Sequence, residues 1–286
     1  MTTETLTAND YKTDLKPVWC PGCGDFGVLN ALYRAMAELQ LELANTVVVS
    51  GIGCSSRLPG YVQTFGFNGV HGRALTLAGG IKVANPALKV IAVGGDGDGV
   101  AIGGNHFLHA ARRNLNIAYL MMDNEIYGLT KGQVAPTTPT GDKTKSTFYG
   151  NPEPAVDPCE LAISFGATWV GRAFSGDIKG SVELMKNALQ HKGFSFLNIM
   201  SPCVTFRGKE QFRTLKTKMQ EMPEDHDRTD RAATSRFTRE VDVMTVGVLY
   251  EVQLPTINDY LRDIRKPWDD NPVQLAEILA SFDPTL

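Results

Sequence analysis

Basic residues are not in excess: the chain has 28 Lys and Arg against 31 Asp and Glu in 286 residues, a net charge of -3, and no long basic run. Nucleic acid and anionic membrane surfaces are thereby excluded as expected partners. Long apolar runs are missing as well, and none approaches the roughly 20 residues of a spanning helix. The opening MTTETLTANDYKTDLKP lacks the basic start and apolar stretch of a secretory signal, so the expected location is cytoplasmic. Repeats and low-complexity segments are absent. Cysteine is scarce: Cys20, Cys23, Cys54, Cys159 and Cys203 are five, an odd number without an export signal. That argues against structural disulfides and for metal ligation or plain burial. A hydrophobic content of 43% is enough for one large core or two small ones.

From about Asp25 to Ser201, short Val- and Ile-rich runs alternate with segments of helical period, which predicts an α/β fold with a mostly parallel sheet flanked by helices. Strands are expected at Thr46 to Gly51, Val90 to Gly94, Ile117 to Met122, Thr168 to Gly171 and Phe194 to Met200. Phe26, Leu29, Leu32, Met36 and Leu39 recur at helical spacing behind Asp25, read as an N-cap. Further helices are expected from Asp157-Pro158 and over Asp177 to His191. Lys131 to Pro154, dense in Pro, Thr and Gly, reads as a long functional loop. The α/β unit is assigned to residues 1–204, and 205–286, more charged and broken by prolines, to an extended C-terminal arm packing on it or on a partner.

In LKVIAVGGDGDGV, Leu88 to Val100, a buried strand runs into Gly94, Gly95 and Gly97, which let a ligand approach the backbone, with Asp96 and Asp98 in the same turn. The next strand ends at Asp123-Asn124, and both turns fall at carboxyl ends of parallel strands, where open α/β sheets bind ligands. An Asp, an Asn and a nearby carbonyl form an all-oxygen set suited to Mg²⁺, which bridges to a diphosphate. A GxGxxG turn is the rival, but an acid between the glycines repels a bare pyrophosphate unless a cation intervenes.

The turn resembles the thiamine diphosphate and Mg²⁺ motif of thiamine-dependent enzymes, G-D-G followed 27 to 28 residues on by Asp123-Asn124. That resemblance implies Asp96, the Asn124 side chain and the Ile126 carbonyl as Mg²⁺ ligands.

Cys20-x-x-Cys23 is half of a ligand set. Cys54 and Cys203 each follow a strand on the edge that carries Asp96, whereas Cys159 lies inside a helix start and reads as a small buried hydrophobe. Four thiolates suit zinc or a [4Fe-4S] cluster. Single third and fourth ligands, 31 and 149 positions apart, favour iron-sulfur over paired zinc knuckles.

Taken together, WCPGCGD, GIGCSS at 51–56, HGRA at 71–74, GDGD at 95–98, DNEIYGLTKGQ at 123–133 and SPC at 201–203 resemble the β subunit of 2-oxoacid:ferredoxin oxidoreductases over residues 15 to 205. The resemblance implies the thiamine diphosphate-binding fold and one [4Fe-4S] cluster on Cys20, Cys23, Cys54 and Cys203. It also implies oxidative decarboxylation of a 2-oxoacid, with coenzyme A as acyl acceptor and ferredoxin as electron acceptor. The chain has no second sheet domain to supply the Glu that activates the coenzyme, so an α subunit is expected, giving an α/β heterodimer that pairs to α2β2. The opening DYKTDLKPVWCPGCG looks more like the 2-oxoglutarate branch than the pyruvate branch.

Arg57 and Lys131 are the cations nearest the motifs and the candidates to meet substrate carboxylates, a surface role being the alternative. His71 and Arg73, at an expected helix start, are candidate diphosphate contacts. His106 and His109 lack a third ligand and read as packing or interface residues. A non-oxidative thiamine-dependent decarboxylase subunit and a non-catalytic cluster-bearing subunit are the rival readings.

Overall fold

The computed structural model describes residues 5–238, 240 and 242–269. Eight strands form one sheet: β1 Thr46–Ser50, β2 Phe65–Asn68, β3 Lys89–Gly95, β4 Ala118–Asp123, β5 Trp169–Phe174, β6 Ser195–Met200, β7 Met219–Glu221 and β8 Met244–Glu251. Their order is β2-β1-β3-β4-β6-β5-β8-β7. Every pairing is parallel except β5 with β8.

The helices are α1 Asp25–Glu38, α2 Ala74–Ala84, α3 Gly104–Arg112, α4 Pro158–Phe165, α5 Ile178–Gln190, α6 Glu210–Lys218, α7 Arg231–Thr238 and α8 Ile257–Asp269. Alternation along the strands explains the layering. On β4, Leu120 and Met122 enter a core shared with α1 and α5, while Tyr119 and Met121 enter a second core with α2, α3 and α4. The strands β4, β5 and β6 are therefore buried throughout and mostly apolar, as in a sheet covered on both faces.

Asp157 caps α4 through the backbone N–H groups of Cys159 and Glu160, with Pro158 in the first turn, as expected. Cys159 is fully buried in the second core. Asp25 differs from expectation. Gly24 occupies the cap position and Asp25 is the first helical residue, its buried carboxylate accepting from Ser201 Oγ at 2.6 Å. A long-range partner has captured the side chain that sequence reading gave to local capping.

The chain after Cys203 contains strands that its pattern did not announce. β8 adds to the sheet beside β5, across a register shift at Val170/Gly171, and β7 pairs with β8. Phe174, Met200, Leu215, Met244 and Val246 form a small core there. β7 and β8, in the stretch read as an arm, are thus strands of the same sheet; residues 239, 241 and 270–286 of that stretch lie outside the described residues. Among the described residues no helix is long and apolar enough to cross a membrane.

Candidate active site

Four neighbouring strands, β1, β3, β4 and β6, end on one edge of the sheet, and each is followed by a residue singled out from sequence: Cys54, Asp96, Asn124 and Cys203. Strands lie about 4.8 Å apart, so Cys54 and Cys203 leave the sheet roughly 14 Å from each other. The loop after β4 closes that gap. An atom placed at the Cβ position of Gly128 would stand 3.6 Å from Cys54 Sγ, 3.8 Å from Cys203 Sγ and 3.7 Å from Asn124 Nδ2.

The N-terminal thiols are drawn in by two hydrogen bonds. Trp19 Nε1 donates to the Cys54 carbonyl at 2.7 Å, and Gly24 N donates to the Pro202 carbonyl at 3.1 Å. The second contact requires glycine, because a Cβ at 24 would meet Pro202 N at 2.7 Å.

All five thiols are free. Burial, then Asp25, pushes the Cys23 thiol far up, with smaller contributions from Cys203 and Cys54. Burial and Asp25 push Cys54 up to about 11, with Cys203 and Cys20 adding to it. Burial also raises Cys203. Cys23, Cys54 and Cys203, partly buried and near enough to oppose one another's ionisation, form with the exposed Cys20 a donor set suited to a cationic centre. Among the described residues, no three His, Cys, Asp or Glu side chains gather as one ion would require.

Beside Cys54 lies a cleft of about 160 Å³, partly open to solvent, whose lining includes Cys54, His71, Asp96, Asn124, Ile126 and Tyr127. Gly95, Gly97 and Asp98 also line it. Tyr127 Oη donates to the Gly97 carbonyl at 3.1 Å, and a Cβ at Gly97 would stand 2.3 Å from the Tyr127 ring, so glycine is needed there for packing.

Asp96 is buried, and burial and the neighbouring Asp123 hold its carboxyl well above the usual carboxylate range. Thr137 Oγ1 donates to Asp96 Oδ2 at 2.6 Å. Asn124 Oδ1 accepts from Ile126 N at 3.1 Å. A buried carboxyl flanked by a second one, with an amide oxygen and a carbonyl in the same cleft, suits a hard divalent cation, which would offset the repulsion.

Not every expected residue offers a free side chain to the cleft. Asp98 Oδ1 accepts from Ile52 N at 3.0 Å and Gly72 N at 2.7 Å and pairs with His71 Nδ1 at 2.7 Å. Its carboxylate thus ties together the loops after β1 and β2 and holds the His71 ring at the cleft wall. The helix expected at His71 starts at Ala74, since His71, Gly72 and Arg73 form a turn with Gly72 at φ +71°. Arg73 turns back to the carbonyls of His71, Gly72 and Ile102 at 3.4–3.5 Å. Arg57 and Lys131 are exposed and stand outside the cleft lining. His106 and His109 lie in a separate groove with Arg113 between α2 and α3.

Sequence reading missed Thr137, Glu125, Arg207 and Gln211. Glu125 follows Asn124, is pushed up to about 7 chiefly by burial, and accepts from Arg207 and Gln211 at 2.7 and 3.0 Å.

Residues 51–199, just over half of the chain, match the model of the thiamine pyrophosphate enzyme C-terminal TPP binding domain, and 203–266 match that of the C-terminal region of the pyruvate ferredoxin oxidoreductase β subunit. Subunit β of 2-oxoacid:ferredoxin oxidoreductase 1 from Aeropyrum pernix is 46% identical, over 75% of this chain and 68% of its own. The chain belongs to the 2-oxoacid:ferredoxin oxidoreductase β-subunit family. The 2-oxoglutarate oxidoreductase subunit KorB of Mycobacterium tuberculosis, another relative, is 46% identical over 69% of this chain; the match spans about half of that protein, 53%. A solved structure of 2-oxoglutarate:ferredoxin oxidoreductase from Magnetococcus marinus, with 2-oxoglutarate, coenzyme A and succinyl-CoA bound, superposes with TM-score 0.92 at 41% identity, covering 99% of this chain and 98% of that one. Within the family, the match to residues 203–266 gives the stretch beyond Cys203, which carried no recognised motif, a relative of its own.

Proposed function

We propose that this chain is the β subunit of a 2-oxoglutarate:ferredoxin oxidoreductase and carries both the thiamine diphosphate site and one [4Fe-4S] cluster. The observation that carries the reading is that Cys54 lines the cleft with Asp96 and Asn124 while its sulfur and that of Cys203 both stand beside Gly128. When bound, thiamine diphosphate supplies an electron sink for decarboxylation of a 2-oxoacid and the cluster a one-electron acceptor leading to ferredoxin.

Asp96, Asn124 and the Ile126 carbonyl would hold Mg²⁺, and Gly95 and Gly97 leave room for the diphosphate at the end of β3. His71, fixed by Asp98, would donate to the diphosphate from the cleft wall. Arg73 and Asp98 would act behind His71, shaping the turn that presents it. Cys20, Cys23, Cys54 and Cys203 would ligate the cluster. Arg57 and Lys131, exposed beside Cys54 and Gly128, would meet carboxylates of a substrate lying across the mouth, the distal one of 2-oxoglutarate included. Coenzyme A would be the acyl acceptor. An α subunit would supply the acid that activates the coenzyme, in an α/β heterodimer pairing to α2β2. The cytoplasm fits an oxidoreductase that passes electrons to ferredoxin and holds free thiols.

The test is a substrate panel on the purified heteromeric enzyme, both subunits present, following coenzyme A-dependent reduction of a one-electron dye. The expected order is 2-oxoglutarate well above pyruvate and branched 2-oxoacids. A colourless, iron-free enzyme that decarboxylates 2-oxoacids without reducing the dye would overturn the reading.

A further inference from the structure

Glu125 sits at φ +59°, a backbone region that disfavours residues with a Cβ. Its side chain is largely buried, and one oxygen accepts from both Arg207 at 2.7 Å and Gln211 at 3.0 Å. Those two residues hold the peptide groups of Cys203. Gln211 Oε1 accepts from Cys203 N at 2.9 Å, and Arg207 N donates to the Cys203 carbonyl at 2.9 Å. On the other side, the Glu125 peptide adjoins Asn124, and its carbonyl accepts from Thr138 Oγ1 at 2.6 Å, next to the Thr137 that holds Asp96. Arg207 also pairs with Asp142 at 2.7 Å, in the same long loop. A glycine would adopt this φ without strain, so the backbone does not call for glutamate; the buried contacts of its carboxylate do.

We propose that Glu125, Arg207 and Gln211 form a brace that couples the Asp96–Asn124 site to the thiol site, so that filling either one stabilises the other. This rests on the function proposed above. Glu125 and Gln211 are positioning residues: they act on a cluster ligand and on a metal-binding turn without touching substrate. Coupling of this kind is reciprocal, and a factor of about fivefold or more is typical where two sites share a structural element. The Cys54 wall offers a second route between the sites, and variants of the brace separate the two routes.

The test measures the rate at which the anaerobic heteromeric enzyme loses iron to a ferrous chelator, with and without thiamine diphosphate and Mg²⁺. In the wild type the coenzyme should slow iron loss about fivefold or more. In Glu125→Gly, which suits the backbone, and in Gln211→Met, which keeps the side-chain length, the protection should fall below about twofold while calorimetry still detects thiamine diphosphate binding. Glu210→Ala, which removes an exposed ion pair with Arg213, should behave as wild type. Wild-type protection in both brace variants overturns the proposal. If a variant loses its cluster during purification, the reciprocal measurement decides. Coenzyme affinity must then drop by the same factor on cluster removal in the wild type and by less than about twofold in the brace variant that keeps its cluster, and equal drops in the two overturn the brace. A wild-type enzyme without iron or without coenzyme binding would instead overturn the proposed function, whereas one with both but no protection overturns only this inference.

Discussion

Thr137 reaches across 41 residues of sequence to donate its hydroxyl to Asp96 at 2.6 Å, and both side chains are buried. The hydrogen bond favours the ionised carboxylate against burial and against Asp123, which push the other way. Thr137→Val keeps the shape and removes the donor. Leaving a buried acceptor unpaired costs about 1–3 kcal/mol. Magnesium binding, which needs the ionised carboxylate, should weaken by about tenfold or more at pH 7, measured as the Mg²⁺ dependence of thiamine diphosphate affinity. Unchanged Mg²⁺ dependence would remove Asp96 from the metal site.

Gly24 allows the N-terminal thiol segment to lie against Pro202. A methyl group at this position meets backbone as well as a side chain, since Pro202 N, Ser201 C and Ser201 Oγ all stand at 2.7 Å. Gly24→Ala should therefore lower unfolding free energy by about 1–3 kcal/mol, as overpacking does, and should reduce iron content more than it reduces coenzyme binding. Denaturant melts and iron assays on one preparation would show whether the two losses separate.

His191 gives a pH dependence remote from the cofactors. It is buried, its Nε2 lies 2.8 Å from Thr168 Oγ1, and its Nδ1 lies 3.3 Å from Gln253 Nε2 and 4.0 Å from Glu251. With Gln253 donating to Nδ1 and Nε2–H donating to Thr168, the neutral ring satisfies the network. Burial pushes its pKa down to about 4 from 6.5. The unfolded chain therefore binds the proton first as pH falls. Stability from this residue is whole above pH 6.5 and is lost between 6.5 and about 4, on the order of 2 kcal/mol once partial solvent screening is allowed for. Replacing it with Gln should flatten the acid limb of a melting-temperature profile; an acid limb of wild-type steepness would contradict the assignment.

How far the sequence announced this molecule depended on whether a feature was local. The central strands were legible because burial on both faces favours apolar runs, as in VVV at 47–49 and LMM at 120–122, even where a buried Arg172 or Asn198 interrupts them. The Gly-rich turn and Asn124 were legible because their spacing follows from adjacent parallel strands. β2 was not, being a four-residue exposed edge strand, FGFN, without a burial pattern. β8 carries Gly247 at φ +122° and lies beyond a long charged stretch of chain, so its place beside β5 depends on tertiary pairing. The same holds for the site. Cysteines and acids declare themselves by type, whereas Thr137, Arg207 and Gln211 are common residues whose roles exist only through contacts with Asp96, Glu125 and Cys203. The Pro- and Thr-rich character of residues 131–154 was the one local hint of Thr137.

The proposal that four cysteines hold one cluster beside the cleft is best tested at Cys203, the most distant of the four in sequence. Iron, acid-labile sulfide and low-temperature electron paramagnetic resonance should be measured on the anaerobically purified enzyme, for wild type and Cys203→Ala, before and after reduction. Four irons and four sulfides per β chain with a reduced-cluster signal in the wild type, and an iron-poor or three-iron species in Cys203→Ala, agree with Cys203 as a cluster ligand beside Cys54 at Gly128. An equal iron content and an identical signal in the two proteins would contradict that arrangement.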